Sequence, residues 1–185
     1  PQSRGPLGLQ PQIISSYDGG KHNADLDQTI ARLTDEGAYR DLSTIIIVPA
    51  LGTVPTKAVA SWWNIITPPN QKVAKFFALA QEVGAAYSNT IGAILADPNL
   101  RDWKYILTLE HDNVPPPDGL LKLRETAEAH PEYAAIGGLY FTKGEGGVAQ
   151  IWGSPHEHPM NFKPQRPIAD ALIECNGTGM GFTLF

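Results

Sequence analysis

Residues 105–113 read YILTLEHDN, an apolar run that stops abruptly at acids. Tyr105, Ile106, Leu107 and Leu109, with β-branched Thr108 among them, form a short continuous hydrophobic segment of the kind that fills a strand buried on both faces. Glu110 and Asp112 follow at once. In extended backbone, residues two apart point to the same side, so both carboxylates are expected to project together from the strand end, with His111 facing the other way. The carboxyl end of a buried parallel strand is where open α/β sheets bind ligands. Two convergent oxygen donors there suit Mn2+ or Mg2+, which keep several waters and bridge to substrate phosphates. The competing reading is a pair of solvated acids opening a loop.

Upstream of this stretch, the sequence alternates strand and helix patterns. Residues 1–23 are rich in Pro, Gly, Gln and Ser and read as an extended arm, with Ile13 and Ile14 able to dock it on the domain or on a neighbouring subunit. Leu26, Ile30 and Leu33 recur at helical spacing, and Gly37 is a stop signal. Residues 43–50, STIIIVPA, are the strongest strand, β-branched from Thr44 to Val48 with Pro49 ending that run, and are expected at the centre of the sheet. Pro55 suits the first turn of a helix whose stripe is Val59, Trp62, Trp63 and Ile66. Residues 72–79 fit either a second strand or the start of one long helix; the strand is preferred because 81–96 already supply a full helix through Val83, Tyr87, Thr90, Ile91, Ile94 and Leu95. Strand and helix alternating up to YILTL predict an α/β fold with a mainly parallel central sheet flanked by helices.

Downstream, Pro115–Pro117 end the strand and Asp118 is a candidate N-cap for a helix over 119–129. Residues 134–141 read as another strand, 144–147 as a glycine turn, 150–153 as a short strand and 154–167 as a Pro-rich surface loop. Two short apolar pieces around three glycines close the chain.

Composition narrows the function. The chain has 185 residues, with 19 acids against 14 bases, so it offers no general attraction for nucleic acid or an anionic membrane. Any phosphate it binds must be held locally. Cys175 is the only cysteine, which excludes an internal disulfide and a Cys-based zinc site. No apolar run has the length of a transmembrane segment, and the opening PQSRGPLGLQPQ lacks the core of a signal peptide. A reducing, cytoplasmic setting is the expectation. Asn176-Gly177-Thr178 formally matches a glycosylation acceptor and is read as chance.

The order of these pieces resembles the nucleotide-diphospho-sugar glycosyltransferases of the GT-A fold, in the form found in bacterial and phage-encoded members. The likeness rests on Val48-Pro49 at the end of the first strand, Tyr87-Ser88-Asn89 where relatives often carry Ala-Arg-Asn, and Leu109-Glu110-His111-Asp112 in place of the family's Asp-x-Asp motif. Pro115 to Leu121, Gly137-Gly138-Leu139-Tyr140 and Gly177-Thr178-Gly179 to Leu184 extend it. It covers residues 43–185, leaving 1–42 as an arm and short helix that could also mediate oligomer formation. The resemblance implies a nucleotide-diphosphate sugar donor and an unknown acceptor. Pro49, Ala50, Leu51 and Gly52 would hold the base and ribose, Asn89 would lie near the nucleotide, and Glu110, His111 and Asp112 would meet the sugar nucleotide. Asp112, helped by Glu110, would bind the divalent ion on the diphosphate. It also places the protein in the cytoplasm of a bacterial or phage-infected host cell.

Departures from the pattern are informative. Glu110 is longer than the usual Asp by a methylene, and Tyr87 lacks the cation of the frequent Arg. The chain ends where relatives supply a base and an acceptor-binding segment, so the domain is expected to lack that segment. Glu145, Glu157 and Asp170 are late acids with nothing in their spacing to choose among them, and the catalytic base stays unassigned. His156 and His158 are further candidate metal ligands, with a surface pair as the alternative. Lys143 could meet a phosphate or simply be solvated. A dinucleotide-binding oxidoreductase fails on position, because the dense glycine run at 177–181 comes last and opens no helix. The surviving readings are a metal-dependent glycosyltransferase and a non-catalytic binding or assembly module of the same fold.

Overall fold

Strand β2, Thr44–Ala50, is buried along its whole length, and its β-branched side chains alternate between two hydrophobic layers. Ile45 and Ile47 point into a layer with Ala74, Phe76, Tyr87 and Ile94. Ile46 and Val48 point into the opposite layer with Trp62, Leu107, Leu120 and Phe182. A strand with apolar neighbours on both faces needs an uninterrupted apolar sequence, which is what TIIIV supplies. Helices therefore cover both sides of the sheet. The computed structural model describes residues 12–16 and 24–185.

Around β2 the described elements are β1 (Gln12–Ser15), α1 (Ala24–Asp35), α2 (Thr56–Trp63), β3 (Val73–Leu79), α3 (Val83–Ala96), β4 (Tyr105–Leu109), α4 (Gly119–Ala129), β5 (Ile136–Gly137), β6 (Ile151–Trp152), β7 (Gly177–Thr178) and β8 (Phe182–Leu184). Six strands form one sheet in the order β1-β3-β2-β4-β8-β5, and β6 and β7 form a small second one. Only the β3–β2 and β2–β4 pairings are parallel; the β1–β3, β4–β8 and β8–β5 pairings are antiparallel. The expected mainly parallel sheet is thus a mixed sheet with a parallel centre. The cause is in the connections: the chain reaches β5 through α4 and keeps the direction of β4, whereas β8 returns from β5 by a long excursion without a helix and inserts antiparallel between the two.

Several local expectations hold. Gly37 ends the first helical segment with φ +68, and Ala38 N–H donates to Leu33 O at 2.9 Å. Residues 73–79 form the anticipated strand, with Ala74, Phe76 and Ala78 buried in strict alternation. Residues 12–15 of the arm pair with β3 as an edge strand, Ile13 opposite Ala78 and Ile14 opposite Phe77. The rest of the expected arm, residues 1–11 and 17–23, lies outside the described residues.

Others need correction. Helix α2 ends at Trp63, which is 82% exposed, and Ile66 lies beyond the helix, so of the expected stripe Trp62 serves the core, joined by Ala58. Asp118 does not cap α4: its carboxylate pairs with Lys122 at 2.8 Å, one turn along. Only Ile136–Gly137 of the 134–141 segment is strand, because the chain turns off the sheet after Gly138 bonds to Phe182 O at 2.8 Å.

Candidate functional site

The parallel register brings the ends of β2 and β4 to one edge of the sheet, with Ile47 opposite Thr108. Beyond that pair β2 runs on through Pro49 and Ala50, while β4 stops at Leu109. The next residues do not stay extended. Asn113 N–H donates to Glu110 O at 3.1 Å, closing a turn over 110–113. The extended backbone on which the expected orientations of Glu110, His111 and Asp112 rested is thus replaced by a turn.

Contacts from four directions fix the turn. Glu110 N–H donates to Gly181 O at 3.0 Å, and Asn113 Nδ2 donates to the same carbonyl at 2.9 Å. On the helix side, the Trp62 indole N–H donates to Asn113 O at 3.1 Å and Ser61 Oγ to Pro115 O at 2.6 Å. Gly181 N–H donates to the Tyr140 hydroxyl at 2.9 Å. A Cβ at Gly181 would collide with Asn113 and Tyr140, so glycine is what lets these groups converge. The late glycine run, opaque in the sequence, is a seat for the candidate site.

The carboxylates differ electrostatically. Partial burial raises Glu110 above the ordinary glutamate range, and the neighbouring Asp112 raises it further, against His111 and Lys143. Burial also works to raise Asp112, but the hydrogen bond and charge of Lys143 outweigh it and hold Asp112 below its ordinary value. Lys143 Nζ lies 2.5 Å from Asp112 Oδ2. This lysine rides on a hairpin closed by Thr142 N–H to Val148 O at 2.9 Å, with Gly144 and Gly146 at positive φ. Two adjacent acids whose affinities for a proton are driven apart are the arrangement that acid–base and metal sites use. Burial, then Glu110, also raises the hydroxyl of Tyr87, which packs beneath the turn and donates to Met180 O at 3.3 Å.

The other sequence candidates divide. Pro49 and Ala50 belong to β2 and are buried, so the surface of the anticipated nucleotide loop reduces to exposed Leu51 and Gly52, with Gly52 at φ +113. Asn89 is exposed and donates to Gln81 Oε1 at 2.8 Å, turned toward the loop after β3. His156 is not brought to the acids: its Nε2 lies 2.8 Å from Glu174 Oε2. Among the described residues no three His, Cys, Asp or Glu side chains gather as a metal cluster, so His156 and His158 do not complete a set with Glu110 and Asp112. The donors that fit a Mn2+ or Mg2+ ion are the two carboxylates alone, sufficient in type for an ion that takes its remaining oxygens from water and phosphate.

Asn113, Tyr140, Tyr87 and Lys143 are the parts that sequence reasoning missed or weighed as bland. A cavity of about 230 Å3 beside the turn is lined by Asn113, Pro116, Gly138, Leu139, Tyr140 and Phe182, among others. Of the three late acids, Glu157 accepts from Asn161 Nδ2 at 3.1 Å, whereas Glu145 shares the hairpin of Lys143.

No family model and no curated protein matches the sequence. Among solved structures, the fold is similar to the crystal structure of A197 from STIV, with a TM-score of 0.54 and 18% sequence identity over 77% of this chain. The chain spans 64% of that chain's length. At such identity the likeness concerns the fold alone. No helix among the described residues is long and apolar enough to cross a membrane.

Proposed function

We infer that the protein binds a nucleotide-diphosphate sugar at the 110–113 turn and transfers the sugar to an acceptor. The observation carrying this reading is the placement of two unlike carboxylates at the carboxyl edge of the parallel strands, beside the end of β2. A nucleotide would lie across Leu51 and Gly52 toward the turn. Asp112, with Glu110, would hold Mn2+ or Mg2+, which supplies Lewis-acid stabilisation of a diphosphate leaving group. Lys143 would move from Asp112 onto phosphate, a shift its glycine hairpin permits. Tyr140 and Asn113 keep the turn from relaxing as charge accumulates. Glu145, on the same hairpin as Lys143, would be a base candidate.

A second reading, a binding or assembly module without catalysis, is favoured by the Lys143–Asp112 pair itself, which neutralises one carboxylate without any ligand. Melting temperatures with UDP or GDP and Mn2+ separate the two. The transfer reading predicts a rise for the wild type that Asp112→Ala abolishes; no rise with any nucleotide and metal leaves the module reading.

A further inference from the structure

The excursion between β5 and β8 encloses a second cavity, of about 330 Å3, whose walls include Ile136, Leu139, Ile151, Leu172 and Ile173. Glu174 belongs to the same lining, with its side chain partly exposed. The Tyr133 hydroxyl donates to its Oε1, and His156 Nε2 sits 2.8 Å from its Oε2. A carboxylate has about four lone-pair sites, so these two partners leave each oxygen able to accept once more.

Polar straps join the segments next to the cavity: Gln165 Nε2 donates to Gly153 O and to the carbonyl of Glu174, and Asn176 Nδ2 to Asn161 O at 2.9 Å. Volume and lining fall in the range of small-molecule sites, which combine apolar walls with a few polar groups that set orientation.

We propose that this cavity binds an apolar molecule carrying one hydroxyl, which donates to Glu174. A hydroxyl suits the place better than an ammonium, because Tyr133 and His156 already surround the carboxylate and a further charge among apolar walls is costly to desolvate. The site stands independently of sugar transfer at the 110–113 turn.

Its test pairs 4-propylphenol with propylbenzene, which lacks the hydroxyl. The δ1 methyl signals of Ile136, Ile151 and Ile173 report occupancy, with Ile45 and Ile47 on the far layer as controls. Cys175, the chain's only cysteine and partly buried in the same lining, gives a second readout through its rate of alkylation. The phenol is expected to shift the three cavity methyls and slow alkylation, binding about tenfold more tightly than propylbenzene. Glu174→Gln should remove that preference while leaving propylbenzene binding unchanged. Ala171→Trp, at an exposed position on the cavity rim, should block both compounds. Failure of either compound to move the methyls, or equal binding of the two, overturns the proposal.

Discussion

The two halves of the sheet are built on different physics. The parallel centre, β3-β2-β4, is held by apolar strands, β-branched in β2, with apolar layers above and below, so its register is set by burial. The antiparallel half has strands of two or three residues and is held by close approach: Gly181 under Tyr140 and Asn113, Gly138 against Phe182, and side-chain amides reaching to backbone carbonyls. One half is a rigid stage. The other positions polar groups, which is why the acids of β4 acquire their lysine, their tyrosine and their anchoring carbonyl from residues 140–181.

Mutation should expose that contrast, most strongly in the stage. Ile47→Ala removes a wholly buried side chain between β3 and β4 and is expected to destabilise by about 2–5 kcal/mol in urea unfolding. Gly181→Ala should cost about 1–3 kcal/mol, since its Cβ meets Asn113 and Tyr140 and the turn must move. Gly92→Ala, in the exposed middle of α3 with nothing within 4 Å, should instead gain up to about 1 kcal/mol. Equal effects at the two glycines would erase the distinction between the halves.

Smaller effects separate the carboxylates by pH. Because Lys143 depresses Asp112, the unfolded chain binds more protons in the window between the two values. The resulting stability is present above the ordinary aspartate range and is lost as pH falls through the folded value. Lys143 is 79% exposed, so solvent screening limits its worth, and Lys143→Met should cost about 0.2–1 kcal/mol near neutrality and nothing in strong acid. Glu110 has the opposite sign: its raised value makes stability fall as pH climbs above the ordinary glutamate range. Glu110→Gln is therefore expected to flatten that fall, by less than about 1 kcal/mol at neutral pH. Unfolding curves of the two variants across pH check both signs.

What the sequence made legible follows the same division. TIIIV, KVAKFFAL and YILTL announce strands because their burial patterns are periodic and local. The acids at 110 and 112 were visible for the same reason, since they interrupt such a run. Their partners were not. Lys143 and Asp112 are 31 residues apart, Tyr133 and Glu174 41 apart, and no periodicity encodes such pairings. Gly137 and Gly138 carried a signal of close approach without saying to what, and Gly179 and Gly181, opaque in the sequence, turn out to meet Tyr140 and Asn113. The Trp62-Trp63 pair shows the limit of helical spacing: a helix that ends at the second tryptophan gives one of them a core position and the other to solvent.

The central claim is that the 110–113 turn holds a divalent ion together with a nucleoside diphosphate. Electron paramagnetic resonance of free Mn2+ tests it most directly: the signal should fall when protein and UDP or GDP are added together, and Asp112→Ala should restore it. An undiminished signal with the wild type and both nucleotides, or an equal loss with Asp112→Ala, would contradict it.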